Sequence, residues 1–184
     1  MPFLPSLPAE STLLAVLGRS PAAAAALLDY HEAVMRGDSP LSAAERELIA
    51  AYVSGLNACG YCHGVHDATA QAFGLSAGIL DALLDDIDAA PIEARLKPLL
   101  RFTRKLTREP ARMTQGDVDA IREVGWSEQA VLDAAAVCGL FNLMNRLVEG
   151  AGISAPPDYS AMAGQRLRAQ GYAALKALLP LPKG

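Results

Sequence analysis

The sequence predicts an all-α protein, and three observations support that prediction. Strong helix formers, chiefly alanine, leucine, glutamate and arginine, dominate from Pro21 to Leu178. Runs of alternating β-branched residues, which would indicate strands, are absent from this stretch. Serine or threonine caps and terminal glycines recur along it, as they do at helix ends. With 52% hydrophobic and 20% charged residues among 184, the chain can bury a core, which excludes an intrinsically disordered protein.

We expect residues 1–184 to form one domain. Residues 1–19 are interpreted as an N-terminal arm, irregular over its first ten residues because three prolines interrupt backbone hydrogen bonding there. Residues 20–178 are interpreted as a helical core. Its first helix is predicted over 21–36, where Ser20 is a cap and Pro21 suits a first turn.

The next two helices are defined by local signals. Ser42 followed by Glu45 matches a capping box and starts a helix that should end near Asn57. That helix has apolar residues at the 3.6-residue period of a core-facing element. A second helix is predicted over 59–73, and Gly74 should end it.

Five further segments complete a prediction of about eight helices. In Ile92–Leu106 we expect Pro98 either to kink the helix or to start it. The others are predicted over 76–84, 115–124, 127–149 and 159–178, the last ended by Pro180 and Pro182. Val53–Leu56 and Val137–Leu140 share the pattern Val-x-Gly-Leu, so an internal duplication and a coincidence both remain open.

Composition also narrows the functional class. The net charge of −4 and the sequence pI near 5.3 provide no basic surface for nucleic acid. Three cysteines are too few, and odd in number, for a secreted disulfide scaffold. No basic residue precedes Arg19, and no run of 18 uncharged apolar residues is present. We therefore expect a cytoplasmic protein that uses neither nucleic acid nor membrane as a partner.

The stretch from Cys59 to His66 carries the chemical signal, and three interpretations compete for it. Cys59-x-x-Cys62-His63 fits the pattern of covalent haem attachment, although that chemistry usually follows export. The two cysteines with His63 and His66 could hold a metal with help from Glu47, although one helical turn and a half cannot readily surround an ion. The third interpretation is a redox dithiol with an attached base.

The redox interpretation uses every feature of the spacing. On a helix, Cys59, Cys62 and His66 fall within an arc of about 60°. The helix N-terminus stabilises a thiolate, and on that basis alone Cys59 would have the lower pKa. His66 can accept a thiol proton. If the chain reverses near Asn57, Glu47 can approach His66; otherwise it is a solvated helix glutamate.

Glu47 followed by Cys59-x-x-Cys62-x-x-x-His66 resembles the signature of the AhpD-like alkylhydroperoxidases, which belong to the carboxymuconolactone decarboxylase superfamily of all-helical proteins. Three further segments resemble its peroxidase-related branch, namely residues 41–49, 99–107 and 140–147. The likeness covers roughly residues 20–170. It implies an AhpD-like helical domain. The founding members have a histidine before the second cysteine, where this chain has Tyr61.

The resemblance also implies a function, a thiol peroxidase without cofactor or metal. Carried over by position, Cys62 would be the peroxidatic cysteine and Cys59 the resolving one, while His66 and Glu47 would form a proton relay. The implied partners are a hydroperoxide substrate, an external dithiol or small redox protein as reductant, and further copies of the chain in a trimer or hexamer. The alternatives are a lyase acting on a carboxymuconolactone, or a non-catalytic oligomer switched by its dithiol.

Three other positions carry weaker expectations. Cys138 lies among small apolar residues and is interpreted as core packing. Asn142, Asn145 and Arg146 form a polar stripe on an otherwise apolar helix, which is interpreted as part of a helix or subunit interface; alternatively, Asn142 or Arg146 lines a peroxide pocket. His31 is expected at the surface.

Overall fold

The computed structural model describes residues 1–156 and 158–179, and within them it contains helices and no strand. The predicted all-α class is thereby confirmed. Eight of the described α-helices have seven or more residues, which agrees with the predicted number. The α-helices are α1 Leu13–Leu17, α2 Pro21–Arg36, α3 Ala43–Leu56, α4 Gly60–Ala72, α5 Ile79–Asp85, α6 Leu96–Arg108, α7 Gln115–Glu123, α8 Glu128–Ala151 and α9 Tyr159–Gln170. Two 3₁₀ segments, Pro110–Arg112 and Ala173–Leu178, follow α6 and α9.

The start of α3 shows how local sequence determines these boundaries. The Glu45 backbone amide donates to Ser42 Oγ at 3.2 Å, and the Ser42 amide donates to Glu45 Oε2 at 2.6 Å. This reciprocal pair is the predicted capping box, and it satisfies two amides that would otherwise lack partners. Thr114 and Asp117 form a second box at the start of α7.

The C-terminal region differs from its prediction. The helix predicted over 159–178 ends at Gln170, because Gly171 adopts φ of +69° and the chain continues as a 3₁₀ segment. A Cβ at Gly171 would lie 2.6 Å from a carboxylate oxygen of Glu32, so glycine alone fits this turn. The predicted terminators Pro180 and Pro182 lie outside the described residues. Helix α6 begins at Leu96, four residues after the predicted start at Ile92, so Pro98 lies in its first turn.

Two helices, α3 and α8, form the centre of the core. Helix α3 packs against α4, α6 and α8, and α9 lies along α4. Tyr52 of α3 and Phe141 of α8 are among the largest fully buried side chains. Burial of each such side chain contributes roughly 1.5–3 kcal/mol. Helix α8 is the one described helix that is long and apolar enough to cross a membrane by length and composition, and half of its apolar stretch is buried inside the fold.

The first 19 residues pack on this core. The Phe3 amide donates to the carbonyl of Ala151 at 2.9 Å, and Leu7 and Leu17 are buried. The short helix α1 therefore lies against α2 and α8, where it closes one side of the cavity described below.

Candidate active site

The corner between α3 and α4 positions both cysteines. Asn57 ends α3, and Ala58 adopts a left-handed conformation with φ of 54°, which is uncommon for a residue that has a Cβ. The Cys59 amide then donates to the Ser54 carbonyl at 2.9 Å. Cys59 consequently caps α4, and Cys62 lies in the first turn of that helix, where the helix dipole favours a thiolate.

A cavity of about 60 Å³, partly open to solvent, lies beside this turn, and its volume is several times the roughly 10–15 Å³ that one water molecule needs. Cys62 and His66 both line it, whereas Cys59 and Glu47 do not. The rest of its wall is mainly aliphatic and aromatic and comes from α1, α2, α8, α9 and the last 3₁₀ segment. A molecule in the cavity would therefore meet Cys62 first, with Cys59 behind it.

The two thiols are free and buried, and they affect each other's pKa in opposite directions. A hydrogen bond from the Cys59 thiol to the Cys62 sulfur, together with burial, raises the pKa of Cys59. The same hydrogen bond lowers the pKa of Cys62, assisted by the Asn145 amide and opposed by burial. Helix position alone had favoured Cys59, but the hydrogen bonds reverse that order, and Cys62 is the more acidic thiol.

Asn145 links this corner to α8. Its Nδ2 donates to Ser54 Oγ at 3.0 Å, and its Oδ1 accepts from Asn57 Nδ2 at 2.9 Å. The side chain is 2% exposed, so these contacts are shielded from water. Asn142 and Arg146, the two residues of this helix expected to line a peroxide pocket, do not line the cavity. Asn145, between them in the chain, is the residue of this stripe that lowers the pKa of Cys62.

Glu47 and His66 are brought together as the helix reversal predicts. His66 Nδ1 lies 2.7 Å from Glu47 Oε2, and the Glu47 side chain is fully buried. An ionised carboxylate can only accept a hydrogen bond, so Nδ1 of His66 carries the hydrogen and Nε2 is the basic nitrogen. Glu47 is thus a buried partner of the imidazole, and the alternative of a solvated helix glutamate is wrong.

Two residues that the sequence analysis missed complete the surroundings of Glu47. Arg36 Nη2 lies 2.6 Å from Glu47 Oε1, and the Tyr172 hydroxyl donates to the same oxygen at 2.8 Å. Burial alone would raise the pKa of Glu47, but His66, Arg36 and Tyr172 together outweigh it and lower that pKa. Glu47 is therefore held ionised. Tyr172 is 125 positions away in the chain, and no local pattern points to it.

His31 is buried, contrary to the expectation that it lies at the surface. It faces the cavity from α2, with its ring edge-on to Phe141 at 5.9 Å and tilted against Tyr172 at 5.1 Å. Burial lowers the pKa of His31 to about 4, so the imidazole is neutral at neutral pH. The surface position was expected because histidine is polar, whereas His31 packs in an aromatic cluster.

Tyr61 also lines the cavity, at the position where the founding alkylhydroperoxidases have histidine. Its hydroxyl accepts a hydrogen bond from the Leu13 amide at 3.2 Å, and its ring lies 5.4 Å from that of Tyr159. Burial raises the pKa of Tyr61 further above that of an ordinary phenol. Tyr61 fixes α1 over the cavity and is unsuited to accept a proton.

The haem and metal interpretations of the cysteine cluster both require His63 or His66 to lie close to the cysteines around one point. His63 Nδ1 lies 3.3 Å from the Ala51 carbonyl of α3, so this ring is directed toward α3, and it does not line the cavity. Across residues 1–156 and 158–179, no group of three or more His, Cys, Asp or Glu side chains is arranged to hold a metal ion.

The comparison with protein families identifies the region that contains this site. The sequence profile of the carboxymuconolactone decarboxylase family matches residues 21–103, which include Glu47, both cysteines of the motif and His66. Residues 21–103 therefore match a carboxymuconolactone decarboxylase domain. The resemblance stated from the motif is confirmed at the level of the family.

The chain is also similar to solved structures of AhpD-like and peroxidase-related proteins. A peroxidase-related protein from Silicibacter sp. is 29% identical, with a TM-score of 0.75 over 80% of this chain and 78% of the other. A protein from Ralstonia eutropha described as an alkylhydroperoxidase AhpD core is 27% identical, with a TM-score of 0.73 over 80% and 77%. A protein of unknown function from Agrobacterium tumefaciens, 20% identical with a TM-score of 0.63 over 75% and 93%, shares the fold. No curated protein matches the sequence.

Proposed function

We propose that the protein is a thiol-dependent peroxidase that reduces hydroperoxides with the Cys59–Cys62 dithiol. The observation that carries the proposal is the arrangement at the cavity wall. Cys62, the more acidic thiol, and His66, which is hydrogen-bonded to Glu47, both line the same cavity. Peroxide reduction needs a thiolate, a proton donor for the leaving oxygen and a second thiol, and this site offers all three.

The first step is attack of the Cys62 thiolate on one oxygen of the peroxide O–O bond. A sulfur–oxygen bond forms, the O–O bond breaks, and the other oxygen leaves as an alkoxide that takes a proton to become an alcohol. The sulfur is oxidised to a sulfenic acid, and the peroxide is reduced. The His66 imidazolium, formed when the imidazole accepted the Cys62 proton, supplies the proton to the leaving oxygen.

The second step is the condensation of the sulfenic acid with the neighbouring thiol. Cys59 attacks the Cys62 sulfur, the hydroxyl leaves as water, and a Cys59–Cys62 disulfide forms. The raised pKa of Cys59 keeps it protonated until Cys62 has been oxidised. An external dithiol or a small redox protein then reduces the disulfide by thiol exchange, which returns both thiols.

Glu47 supports the relay without touching the substrate. Its ionised carboxylate orients the His66 ring and stabilises the imidazolium that forms when the Cys62 proton is transferred. Arg36 and Tyr172 keep the carboxylate ionised and in position. Glu47 is thus a positioning residue, and Cys62 and His66 are the residues that would act on the reacting atoms.

The proposal is tested by following hydroperoxide consumption with excess dithiothreitol. We compare the wild type with the Cys59→Ser/Cys62→Ser double variant, each checked for folding by circular dichroism. Dithiothreitol-dependent turnover by the wild type and its loss in the folded double variant would support a dithiol peroxidase. Equal consumption by the two proteins would overturn it.

A second candidate, a lyase, is favoured by the family match itself, since the family takes its name from a decarboxylase. Lyase chemistry on a carboxymuconolactone needs no thiol. Decarboxylation by both the wild type and the double variant would therefore identify the lyase. A disulfide that forms once and changes the sedimentation coefficient without turnover would instead identify a redox-switched oligomer.

A further inference from the structure

We infer that the cavity binds an organic hydroperoxide that also carries a carboxylate, and that Arg166 recognises the carboxylate. This inference rests on the proposed function, because it names the substrate class of the same site. The starting observation is the cavity-facing side of α9, formed by Tyr159, Ala163, Arg166 and Leu167. Their spacing repeats that of one helix face, so Arg166 lines the wall with the apolar residues beside it.

The Nε–H group of Arg166 is a hydrogen-bond donor that lacks an acceptor among the described residues. Its Nε is buried and has no hydrogen-bond partner, and Arg166 forms no salt bridge within residues 1–156 and 158–179. Buried polar groups in folded proteins are almost always hydrogen-bonded, and one left unpaired calls for an explanation. An anion in the cavity would supply the missing acceptor.

The rest of the wall determines what that anion can be attached to. Among the described residues that line the cavity there is no aspartate and no glutamate, so Arg166 supplies positive charge there without an opposing carboxylate. Glu47 lies behind His66, where its charge is already paired with Arg36. Aliphatic side chains make up much of the remaining surface, including Leu13, Leu17, Leu28 and Leu175. An aliphatic chain with one anionic end matches this wall.

A carboxylate is the anion that we assign to this position. The guanidinium group presents a planar pair of donors that matches the two oxygens of a carboxylate. The substrate would then have three parts, namely a carboxylate at Arg166, an apolar body along the leucines and a hydroperoxide at Cys62 and His66. Reduction converts this hydroperoxy acid into the corresponding hydroxy acid.

The kinetic test compares two hydroperoxides of equal chain length, 6-hydroperoxyhexanoic acid and hexyl hydroperoxide. For the wild type, we expect kcat/KM to be about tenfold higher for the acid. Arg166→Gln should remove that advantage, so that its kcat/KM values for the acid and for hexyl hydroperoxide lie within twofold of each other. Arg166→Lys should retain part of it. The control is Arg168→Gln, since Arg168 lies on the same helix but stacks over Phe73 outside the cavity.

A binding test separates this inference from the proposed function, because it requires no turnover. Hexanoate and 1-hexanol are titrated into the reduced protein and into its Arg166→Gln and Arg168→Gln variants, with binding followed by calorimetry. Hexanoate that binds more tightly than hexanol, and loses this preference only in Arg166→Gln, supports a carboxylate site even if no peroxide is consumed. Equal binding of both probes, or a change of sedimentation coefficient in Arg166→Gln that shows Arg166 to contact a second copy, would overturn the inference.

Discussion

Cys62 and Cys138 are both almost fully buried, yet their surroundings change their pKa in opposite directions. Burial raises the pKa of Cys138, and its hydrogen bonds with Thr107 and Asn142 do not compensate. At Cys62, the Cys59 thiol and the Asn145 amide outweigh burial and lower the pKa. The comparison shows that burial alone makes a thiol unreactive, while well-placed donors at a helix start make a buried thiol acidic.

The two cysteines also differ in what surrounds the space beside them. Cys138 lies in the middle of α8, donates to the Thr103 carbonyl at 3.6 Å, and lines an open depression whose described lining contains no histidine. Cys62 lines a deeper, mainly apolar cavity together with His66. Substitutions at Cys138 and its neighbours are therefore controls for the equivalent substitutions at the Cys62 site.

The largest expected effect separates the two cysteines directly. Cys62→Ala should lower kcat/KM for hydroperoxide at least about 1000-fold, because it removes the nucleophile. Cys138→Ala should leave kcat/KM within twofold and lower the free energy of unfolding by about 1 kcal/mol. Steady-state turnover measures kcat/KM, and urea denaturation measures the free energy of unfolding. A large loss of activity in Cys138→Ala with the fold intact would break the comparison.

Glu47 provides the next largest effect. Glu47→Gln removes the charge that supports the His66 imidazolium and leaves Arg36 without its anion, so kcat/KM should fall about 100-fold and the free energy of unfolding by about 3 kcal/mol. The matched control is Glu45→Gln, two residues earlier on α3, where glutamine can keep the capping box and the change should stay within about 0.5 kcal/mol. Similar effects of the two substitutions would mean that Glu47 has no special role.

Asn145 tests the donors that act on Cys62. Because the pKa of Cys62 is lowered, the Cys62 thiolate persists to a lower pH than an ordinary thiolate. The rate at which iodoacetamide alkylates Cys62 should therefore fall only as the pH drops through this lowered pKa. Asn145→Ala should move the midpoint of this profile to higher pH and slow alkylation at neutral pH by about tenfold. Asn142→Ala, which removes the equivalent amide beside Cys138, should leave the Cys62 profile unchanged. Identical midpoints in the wild type and Asn145→Ala would contradict the account.

His31 affects stability and not the reactive thiol, and the sign of its effect follows from burial. Its pKa is about 4 in the folded chain against 6.5 for an unperturbed histidine, so the unfolded state binds the extra proton as pH falls between these values. The folded state should therefore lose about 2 kcal/mol of stability between pH 7 and pH 5. Urea denaturation of His31→Gln should show that loss reduced or removed; an unchanged loss would show that other groups cause it.

How far the sequence predicts this molecule depends on the range of each interaction. The capping box of Ser42 and Glu45 depends on residues three apart, and the structure contains it as predicted. The approach of Glu47 to His66 follows from two adjacent helices that reverse, which their spacing also indicates. The roles of the four motif residues in catalysis stay a prediction, as does the internal duplication.

Contacts between distant segments were not predictable in this way. Tyr172 reaches Glu47 from the C-terminal segment, and Arg36 reaches it from α2, through packing that no local pattern encodes. The predicted last helix extended too far because the chain turns at Gly171, after which the amides of Tyr172 and Ala173 donate to Glu32, 140 and 141 positions earlier. Such residues become visible only when the helices are assembled.

The most direct test of the central claim is to identify the cysteine that a hydroperoxide oxidises first. The Cys59→Ser protein, which cannot form the disulfide, is treated with one equivalent of hydroperoxide, trapped with dimedone and analysed by peptide mass spectrometry. We predict a sulfenic acid adduct on Cys62 and unmodified Cys138. An adduct on Cys138, or a Cys62 that stays unmodified in the folded protein, would contradict the account.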